Sequence, residues 1–329
     1  MSSLPSPLYA SVDLGGTKIA AALGTAEGAI RAQAAAPTRS HEGPEAVIER
    51  TAALVHGLAR EVAERPLALG LGVPGLTDIE AGTTRFLPNL TGGWRDISVR
   101  QMLAASIGCP VALLNDSRMA TLGELTYGRG RTARTFVYLS LGTGIGGGVV
   151  VEGRLQLGPL GAAGELGHQT ILPDGPACTC GSRGCLETLA SGPALTARGI
   201  YLLQCGRAPI LRDLVKGDLS RVTPREMADA AAHGEASVRA EIVRVAEYIG
   251  IGVANAVTIL HPDLVVLGGG MSDIGALLLD TVRETVRDRV RMFPADTVRI
   301  ERTTLNSRAG LLGGLALART LAAQGEHPN

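Results

Sequence analysis

The hydrophobic pattern of the chain alternates between short apolar runs and longer segments with helical spacing. Apolar runs of strand length, several of them followed by glycine, occupy residues 8–14, 17–23, 67–71, 111–114, 136–141 and 264–267. Between them, apolar residues recur three or four positions apart, as in residues 44–65, which predicts amphipathic helices. Alternating strands and helices of this kind predict an α/β protein.

The second half of the pattern predicts a similar but elaborated unit. The segment Thr223-Pro-Arg-Glu226 is a capping box with proline at the first helical position, which predicts a helix through Ala232. Further helices are expected over residues 97–107, 235–260, 274–290 and 309–322, and a last strand over 298–300. We expect a smaller N-terminal domain, residues 1–115 plus 305–329, and a larger domain, residues 116–304.

Composition excludes several classes of function. The chain has 329 residues, of which 45% are hydrophobic, and its 31 Lys and Arg balance its 31 Asp and Glu. Such a balance gives no bulk charge that would favour nucleic acid or a membrane surface. No apolar run reaches the roughly 18 residues of a membrane span, and the N-terminus has no signal-peptide pattern. We therefore expect a cytoplasmic protein.

Three of the five cysteines lie within eight residues, close to a histidine. His168, Cys178, Cys180 and Cys185 are enough to enclose a tetrahedral zinc ion, and four protein ligands would make that metal structural. The alternative is that these cysteines are small buried hydrophobic residues. A disulfide framework is disfavoured in a long chain without a secretory signal. Two carboxylates that zinc does not need, Glu165 and Glu187, flank the cluster.

Two glycine-rich turns have the composition of phosphate-binding loops. Asp13-Leu-Gly15-Gly16-Thr17-Lys18 joins two predicted strands, and its backbone N–H groups, hydroxyl and ammonium would form an anion cradle, with Asp13 facing Mg²⁺ through water. An ordinary hairpin turn is the alternative. The second turn, Gly142-Thr143-Gly144-Ile-Gly-Gly147, has the spacing of a dinucleotide fingerprint. It leads into a β-branched strand and a turn at Glu152-Gly153 rather than a helix, which rejects nicotinamide binding and favours a second phosphate hairpin.

Other polar and glycine positions follow predicted strands. Asn115-Asp116 stands at the end of a buried strand, where α/β proteins place ligand sites, although Asp116 could equally cap a helix. Asn89, in the loop from Pro88 to Trp94, could pair with hydroxyl groups or serve turn geometry. Two further turns follow strands, one ending at Gly75 and one made of Gly268, Gly269 and Gly270; the latter would admit a flat base or simply pack closely.

Taken together, these motifs resemble the ROK family (repressors, uncharacterised frames and sugar kinases) over nearly the whole chain. The most specific part is the string that runs from Gly-Glu165-Leu-Gly-His168 to Cys185-Leu-Glu187. The resemblance implies the actin-like ATPase (ribonuclease H-like) fold, with two α/β domains flanking a nucleotide cleft. It implies Asp116 as the general base and the four Cys and His residues as zinc ligands. The implied sugar ligands are Gly75, Asn89, Asn115, Asp116, Glu165, His168 and Glu187. The implied ATP-binding residues are Asp13, Gly15, Gly16, Thr17, Lys18, Gly142, Thr143, Gly144, Gly268, Gly269 and Gly270.

The activity implied by the resemblance is ATP-dependent phosphorylation of a hexose at the 6-hydroxyl. Glucose is the first candidate, because the loop with Asn89 and Trp94 resembles that of glucokinase members. An N-acylhexosamine kinase, for example for N-acetylmannosamine, is the alternative, and a sugar-responsive regulator is a third. The implied cofactors are ATP, catalytic Mg²⁺ and structural Zn²⁺. The implied partners are the hexose and a second or further copies of the chain, as a homodimer or homotetramer, without nucleic acid or membrane.

Overall fold

A computed structural model of the chain describes residues 7–87 and 89–325. Pro88, the first residue of the loop that carries Asn89, lies outside the described residues. The chain forms two compact units, of which the first takes in Met1–Thr132, Arg154–Gly164 and Ser307–Asn329 and the second Ala133–Gly153 and Glu165–Asn306. The expected boundary between residues 115 and 116 differs from this division, because the helix that starts at Asp116 packs within the first unit.

The first unit begins with three strands, a helix and a fourth strand, of which the strands near 8–14, 17–23 and 67–71 and the helix near 44–65 follow the hydrophobic pattern. Its elements are β1 (Tyr9–Leu14), β2 (Lys18–Gly24), β3 (Ile30–Pro37), α1 (Pro44–Val62), β4 (Leu69–Val73), β5 (Leu76–Asp78), β6 (Thr83–Phe86), α2 (Val99–Ile107), β7 (Val111–Asn115) and α3 (Asp116–Tyr127). Five strands form one sheet in the order β3-β2-β1-β4-β7. β1 is antiparallel to β2 and parallel to β4. The ends of β1, β4 and β7 therefore lie at one edge and bring Asp13, Val73 and Asn115 to it.

The second unit repeats the strand pattern and adds more helices. Its elements are β8 (Phe136–Leu141), β9 (Ile145–Val151), α4 (Leu186–Ala190), α5 (Gly192–Gln204), α6 (Pro209–Leu214), α7 (Pro224–Ala232), α8 (Ala236–Leu260), β11 (Leu264–Gly268), α9 (Ala276–Arg289) and β12 (Arg299–Arg302). The short strand β10 (Arg154–Gln156) belongs to the segment grouped with the first unit. Strands β9, β8, β11 and β12 follow one another in that order, with β8, β11 and β12 parallel.

The last helix, α10 (Ala309–Gly325), belongs to the first unit. A Cβ atom at Gly313 would collide with the backbone of Met119 in α3, and one at Gly70 in β4 would collide with the backbone of Gly314. Glycine at these positions lets α10 pack closely against both α3 and the sheet. The expected position of the helix is thus explained by backbone contacts that larger residues would prevent.

One helix among the described residues, α8, is long and apolar enough to cross a membrane by length and composition. Its buried side chains include Val238, Ile242, Val245, Ile249 and Val253, all of which belong to the core of the second unit. Burial of this stripe of side chains makes α8 the central helix around which α4, α5, α7 and α9 pack.

One detail of β9 differs from the sequence prediction, and one agrees with it. Strand β9 begins at Ile145, so that the last three glycines of the cluster lie inside the strand rather than in a loop. Gly147 has to be small there, because a Cβ atom would meet the side chain of Leu166 and the carbonyl oxygen of Tyr138. The predicted hairpin turn at the end of β9 is confirmed, since Glu152 and Gly153 both have positive φ angles, 54° and 71°.

Candidate functional site

The turn between β1 and β2 is held in a tight conformation. Within it, the N–H of Gly15 donates to the carbonyl oxygen of Lys18 at 2.9 Å, and the hydroxyl of Thr38 donates to the carbonyl oxygen of Gly15 at 2.7 Å. Gly16 lies against the loop that follows β6, so that an added Cβ atom would be 2.8 Å from the carbonyl oxygen of Asn89. Thr17 and Lys18 are exposed. The turn thus leaves a hydroxyl and an ammonium accessible.

Two carboxylates in the first unit influence each other. The pKa of Asp13 is raised from its ordinary value of 3.8 to about 6, mainly by burial and also by the negative charge of Asp116, while Lys18 acts in the opposite direction. Gly310 of α10 packs beside Asp13, with a Cβ position 3.2 Å from Oδ2. Two neighbouring carboxylates of this kind are a suitable environment for a divalent cation, which favours oxygen ligands.

Asn115, rather than Asp116, is the N-cap of α3. Its Oδ1 accepts from the N–H of Ser117 at 3.0 Å and from the N–H of Arg118 at 3.3 Å. Asp116 is the first residue of the helix, and its Oδ1 accepts from the N–H of Ser117 at 2.6 Å. The capping role weighed for Asp116 is therefore performed mainly by its neighbour.

The side chain of Asn115 is fixed on both of its polar atoms. Its Nδ2 donates to the carbonyl oxygen of Gly75 at 3.1 Å, which joins two of the residues expected to bind a sugar. Gly75 has a φ angle of 95°, a conformation that favours glycine. Arg118, only 1% exposed, donates from Nη1 to Oδ1 of Asn115 at 3.1 Å. The amide can therefore present only its remaining N–H to a ligand.

His168, Cys178, Cys180 and Cys185 form one cluster in the second unit. Their ligand atoms all lie within 4.8 Å of one another; Cys178 Sγ is 3.6 Å from His168 Nδ1, and Cys180 Sγ is 3.7 Å from Cys185 Sγ. Zn–S bonds of about 2.3 Å and Zn–N bonds of about 2.0 Å place the corners of a tetrahedron about 3.5–3.8 Å apart. The donor set and its spacing thus fit a zinc ion.

The thiols of this cluster resist being ionised together. Burial, as the largest cause, and the neighbouring Cys178 and Cys180 together raise the pKa of Cys185 to about 12. The backbone N–H of Ser182, in contrast, lowers the pKa of Cys180. A cation at the centre would compensate the charge of the thiolates, which is the second reason why the cluster suits a metal.

The other side of the His168 ring faces a carboxylate. With Nδ1 directed at Cys178, Nε2 lies 3.9 Å from Oε2 of Glu165. The exposed fractions of the two side chains are 31% for His168 and 40% for Glu165, so solute can reach both. A metal on Nδ1 would fix the tautomer with hydrogen on Nε2 and turn this edge of the ring into a hydrogen-bond donor.

Glu187 contacts the turn between β8 and β9. Its Oε2 accepts from the backbone N–H of Ile145 at 2.8 Å, and a Cβ atom on Gly144 would collide with the same oxygen. Thr143, between the two predicted phosphate-binding glycines, is exposed. The predicted sugar ligand and the predicted phosphate loop are thus in direct contact.

The three glycines after β11 have different surroundings. Gly268 packs against Tyr138, where a Cβ atom would meet the ring, and Gly269 has a φ angle of 79° and lies against the backbone of Leu141. Gly270 is exposed and has no atom within 4 Å of its Cβ position. Close packing, the alternative weighed for this turn, explains the first two glycines, whereas Gly270 leaves bare backbone facing open space.

Sequence reasoning missed Arg118 and the contact of Glu187 with Ile145. Arg118 stands three positions after Asn115, a spacing that puts two side chains on one face of a helix, and this was an available signal. The contact between Glu187 and a residue 42 positions earlier has no local signal in the sequence.

Comparisons with known proteins cover nearly the whole chain. The family model described as ROK family matches residues 9–321. The chain is 34% identical over 318 residues to a glucokinase of Streptomyces coelicolor, covering 95% of this chain and 98% of that protein. It superposes with a TM-score of 0.84 and 31% identity on a ROK family glucokinase from Streptomyces griseus in complex with glucose and AMPPNP, covering 95% and 99% of the two chains. A ROK hexokinase from Thermus thermophilus gives a TM-score of 0.81 and 36% identity, with 97% and 100% covered.

Proposed function

Since the chain belongs to the ROK family, we propose that it transfers the γ-phosphate of ATP to the 6-hydroxyl of a hexose, with glucose as the first candidate. The fold is the actin-like ATPase fold expected from the sequence. Proteins named glucokinase and hexokinase match the chain over at least 95% of its length, which supports a sugar kinase of the glucokinase type.

One observation carries the proposal furthest: the predicted site residues collect into groups that suit their roles. Asn115 binds Gly75 and stands next to Asp116 in the first unit, and Glu165 lies beside His168 in the second unit. A sugar alcohol is a poor nucleophile, and phosphoryl transfer needs a positioned base and neutralised charge more than covalent chemistry. Asp116 would take the proton from the sugar hydroxyl.

The remaining residues would bind the sugar and the nucleotide. Glu165 and His168 would pair with sugar hydroxyls, the one as acceptor and the other as donor through Nε2, together with Asn89, Asn115 and Glu187. A site that hydrogen-bonds the hydroxyl groups of its substrate discriminates strongly against analogues that lack a hydroxyl. The turns at Gly15–Lys18 and Gly142–Gly144 would bind phosphates, and Gly268–Gly270 would border the adenosine.

Two metal ions belong to the proposal. Zn²⁺, held by His168 and the three cysteines, would be structural and would fix the orientation of the imidazole. Mg²⁺ would neutralise phosphate charge during transfer, with Asp13 facing it through water. We expect this enzyme to act in the cytoplasm as a homodimer or homotetramer, as the family resemblance implies.

The test is an ADP-release assay with ATP and Mg²⁺ across glucose, mannose, fructose, allose, N-acetylglucosamine and N-acetylmannosamine. We expect the highest kcat/KM with glucose and a product phosphorylated at the 6-hydroxyl, identified by NMR. A preference for N-acetylmannosamine would favour the N-acylhexosamine kinase. Absence of turnover with all six sugars would contradict the proposal and favour a regulator.

A further inference from the structure

Glu187 occupies a position that a simple sugar ligand would not require. It lies in the first turn of α4, two residues after Cys185 of the metal cluster, and its carboxylate is only partly exposed. Oε2 accepts from the backbone N–H of Ile145 at 2.8 Å. This contact joins the helix after the cysteine cluster directly to the turn Gly142–Ile145.

Two backbone hydrogen bonds also hold the turn, which lies between the paired strands β8 and β9. The N–H of Gly142 donates to the carbonyl oxygen of Gly144 at 2.9 Å, and the N–H of Gly192 donates to the carbonyl oxygen of Gly142 at 2.8 Å. The first bond closes the turn on itself, and the second attaches its beginning to α5. The carboxylate of Glu187 attaches its end, where the absence of a side chain on Gly144 lets the oxygen approach.

A hydrogen bond from a backbone N–H to a carboxylate is charge-assisted and therefore stronger than one between neutral groups. It fixes the direction of the peptide group between Gly144 and Ile145. A phosphate-binding turn works by directing its peptide N–H groups at the ligand before the ligand arrives. A group that fixes one peptide of the turn thus lowers the cost of ordering its neighbours.

We propose that Glu187 is a positioning residue for the nucleotide-phosphate turn Gly142–Ile145, in addition to its expected contact with the sugar. The inference rests on the proposed kinase function, in which this turn binds phosphate. One carboxylate of the second unit then serves both substrates, the sugar through its expected contact and the nucleotide through Oε2, which holds the turn. The metal cluster next to α4 fixes the position of Glu187.

The experiment measures binding of MgADP to the full-length protein without sugar, by calorimetry. Glu187→Asp keeps the charge but shortens the side chain, so it loses the bond to Ile145, whereas Glu187→Gln keeps the reach and an acceptor oxygen but loses the charge. We expect Glu187→Asp to raise the Kd of MgADP about tenfold, the effect of one hydrogen bond to a charged group. We expect Glu187→Gln to remain within about threefold of the wild type.

The direction in which the Kd of MgADP changes in the two variants distinguishes a positioning role of Glu187 from a purely electrostatic one. If Glu187 acted on the nucleotide only through its charge, Glu187→Gln would bind the anionic phosphates more tightly and Glu187→Asp would bind as the wild type does. Glu165→Ala is the matched control, because it removes another expected sugar ligand of the same unit, one that lies beside His168. It should weaken glucose binding and leave the Kd of MgADP unchanged.

Hydrogen–deuterium exchange reports on the turn directly. Peptides covering residues 142–151 should exchange faster in Glu187→Asp than in the wild type, Glu187→Gln or Glu165→Ala. Unchanged exchange and unchanged MgADP affinity in Glu187→Asp would overturn the inference and leave the kinase proposal intact. If the wild type bound no MgADP, the kinase proposal would fail instead, and the exchange rates would still decide whether Glu187 holds the turn.

Discussion

Arg118, which is only 1% exposed, donates from its Nη1 atom to the Oδ1 atom of Asn115 at 3.1 Å. The same guanidinium donates from Nε to the carbonyl oxygen of Ala163 at 2.9 Å and from Nη2 to that of Ala162 at 2.8 Å. A planar group with donors in several directions thus ties the segment before Gly164 to the N-cap of α3. It also prevents the amide of Asn115 from turning over.

Replacement of Arg118 by Met should therefore affect both stability and sugar binding. The carbonyl groups of Ala162 and Ala163 would lose their donors, and we expect the free energy of unfolding to fall by about 3 kcal/mol in urea titrations. Freed from Arg118, Asn115 should hold the sugar less well, which raises KM for the hexose more than it lowers kcat. Arg118→Lys, which keeps the charge without the forked donors, should restore little of the stability and sugar affinity that Arg118→Met loses. Full restoration of both would show that the charge of residue 118 alone matters.

Replacement of Asp116 by Asn should remove the general base. We expect kcat to fall by about 10²–10⁴-fold, the usual contribution of general base catalysis. Affinity for the hexose, measured by calorimetry, should change little, because Asn keeps the size of the side chain and Asn115 still caps α3. Near-normal turnover of the variant would remove Asp116 from the mechanism.

Replacement of Cys180 by Ser should cost the protein its metal and its sugar affinity together. Elemental analysis should find about one zinc per chain in the wild type and much less in the variant, since a tetrahedral site that loses one ligand binds more weakly. His168 would then lose its fixed orientation. Cys205, which is exposed and outside the cluster, provides the control: Cys205→Ser should keep both properties. A wild-type protein without zinc would contradict the metal site.

The raised pKa of Asp13 predicts a pH dependence of stability. Because the folded-state pKa of about 6 exceeds the ordinary value of 3.8, the folded protein holds this proton more tightly than the unfolded chain. The stabilisation by this bound proton is complete below about pH 4 and is lost as the pH rises through about 6. A pKa shift of this size lowers the free energy of unfolding by about 3 kcal/mol over that range.

Asp13→Asn removes this ionisation and should not show the loss. In urea titrations without Mg²⁺ or nucleotide, the variant should become more stable than the wild type as the pH rises from 4 to 8. Its affinity for MgADP should nevertheless be lower, because the carboxylate that would face the metal is gone. Parallel stability curves for the two proteins across this pH range would contradict the raised pKa.

Local patterns in the sequence were sufficient for most elements. The capping box at Thr223 starts α7 at Pro224, and the helix ends at Ala232 as predicted. Strand β8 spans the predicted residues 136–141. The small hairpin of β5 and β6 was not predicted, because three- and four-residue strands are too short to show a period. The start of β9 at Ile145 was also not predicted, because a run of glycines is typical of a loop. The packing of Leu166 against Gly147, which explains glycine inside this strand, is a tertiary contact.

The sequence by itself determined the alternation of strands and helices, the ligand set of His168 and the three cysteines, and the family, because these depend on spacing along the chain. Only the tertiary structure decided that Asn115 rather than Asp116 caps α3, that Arg118 fixes this amide, and that Glu187 holds the peptide of Ile145. The last contact joins residues 42 positions apart, and Arg118 reaches carbonyl groups 44 and 45 positions away. Which donor meets which acceptor over such separations depends on how the elements pack, and the pattern of residues along the chain does not encode it locally.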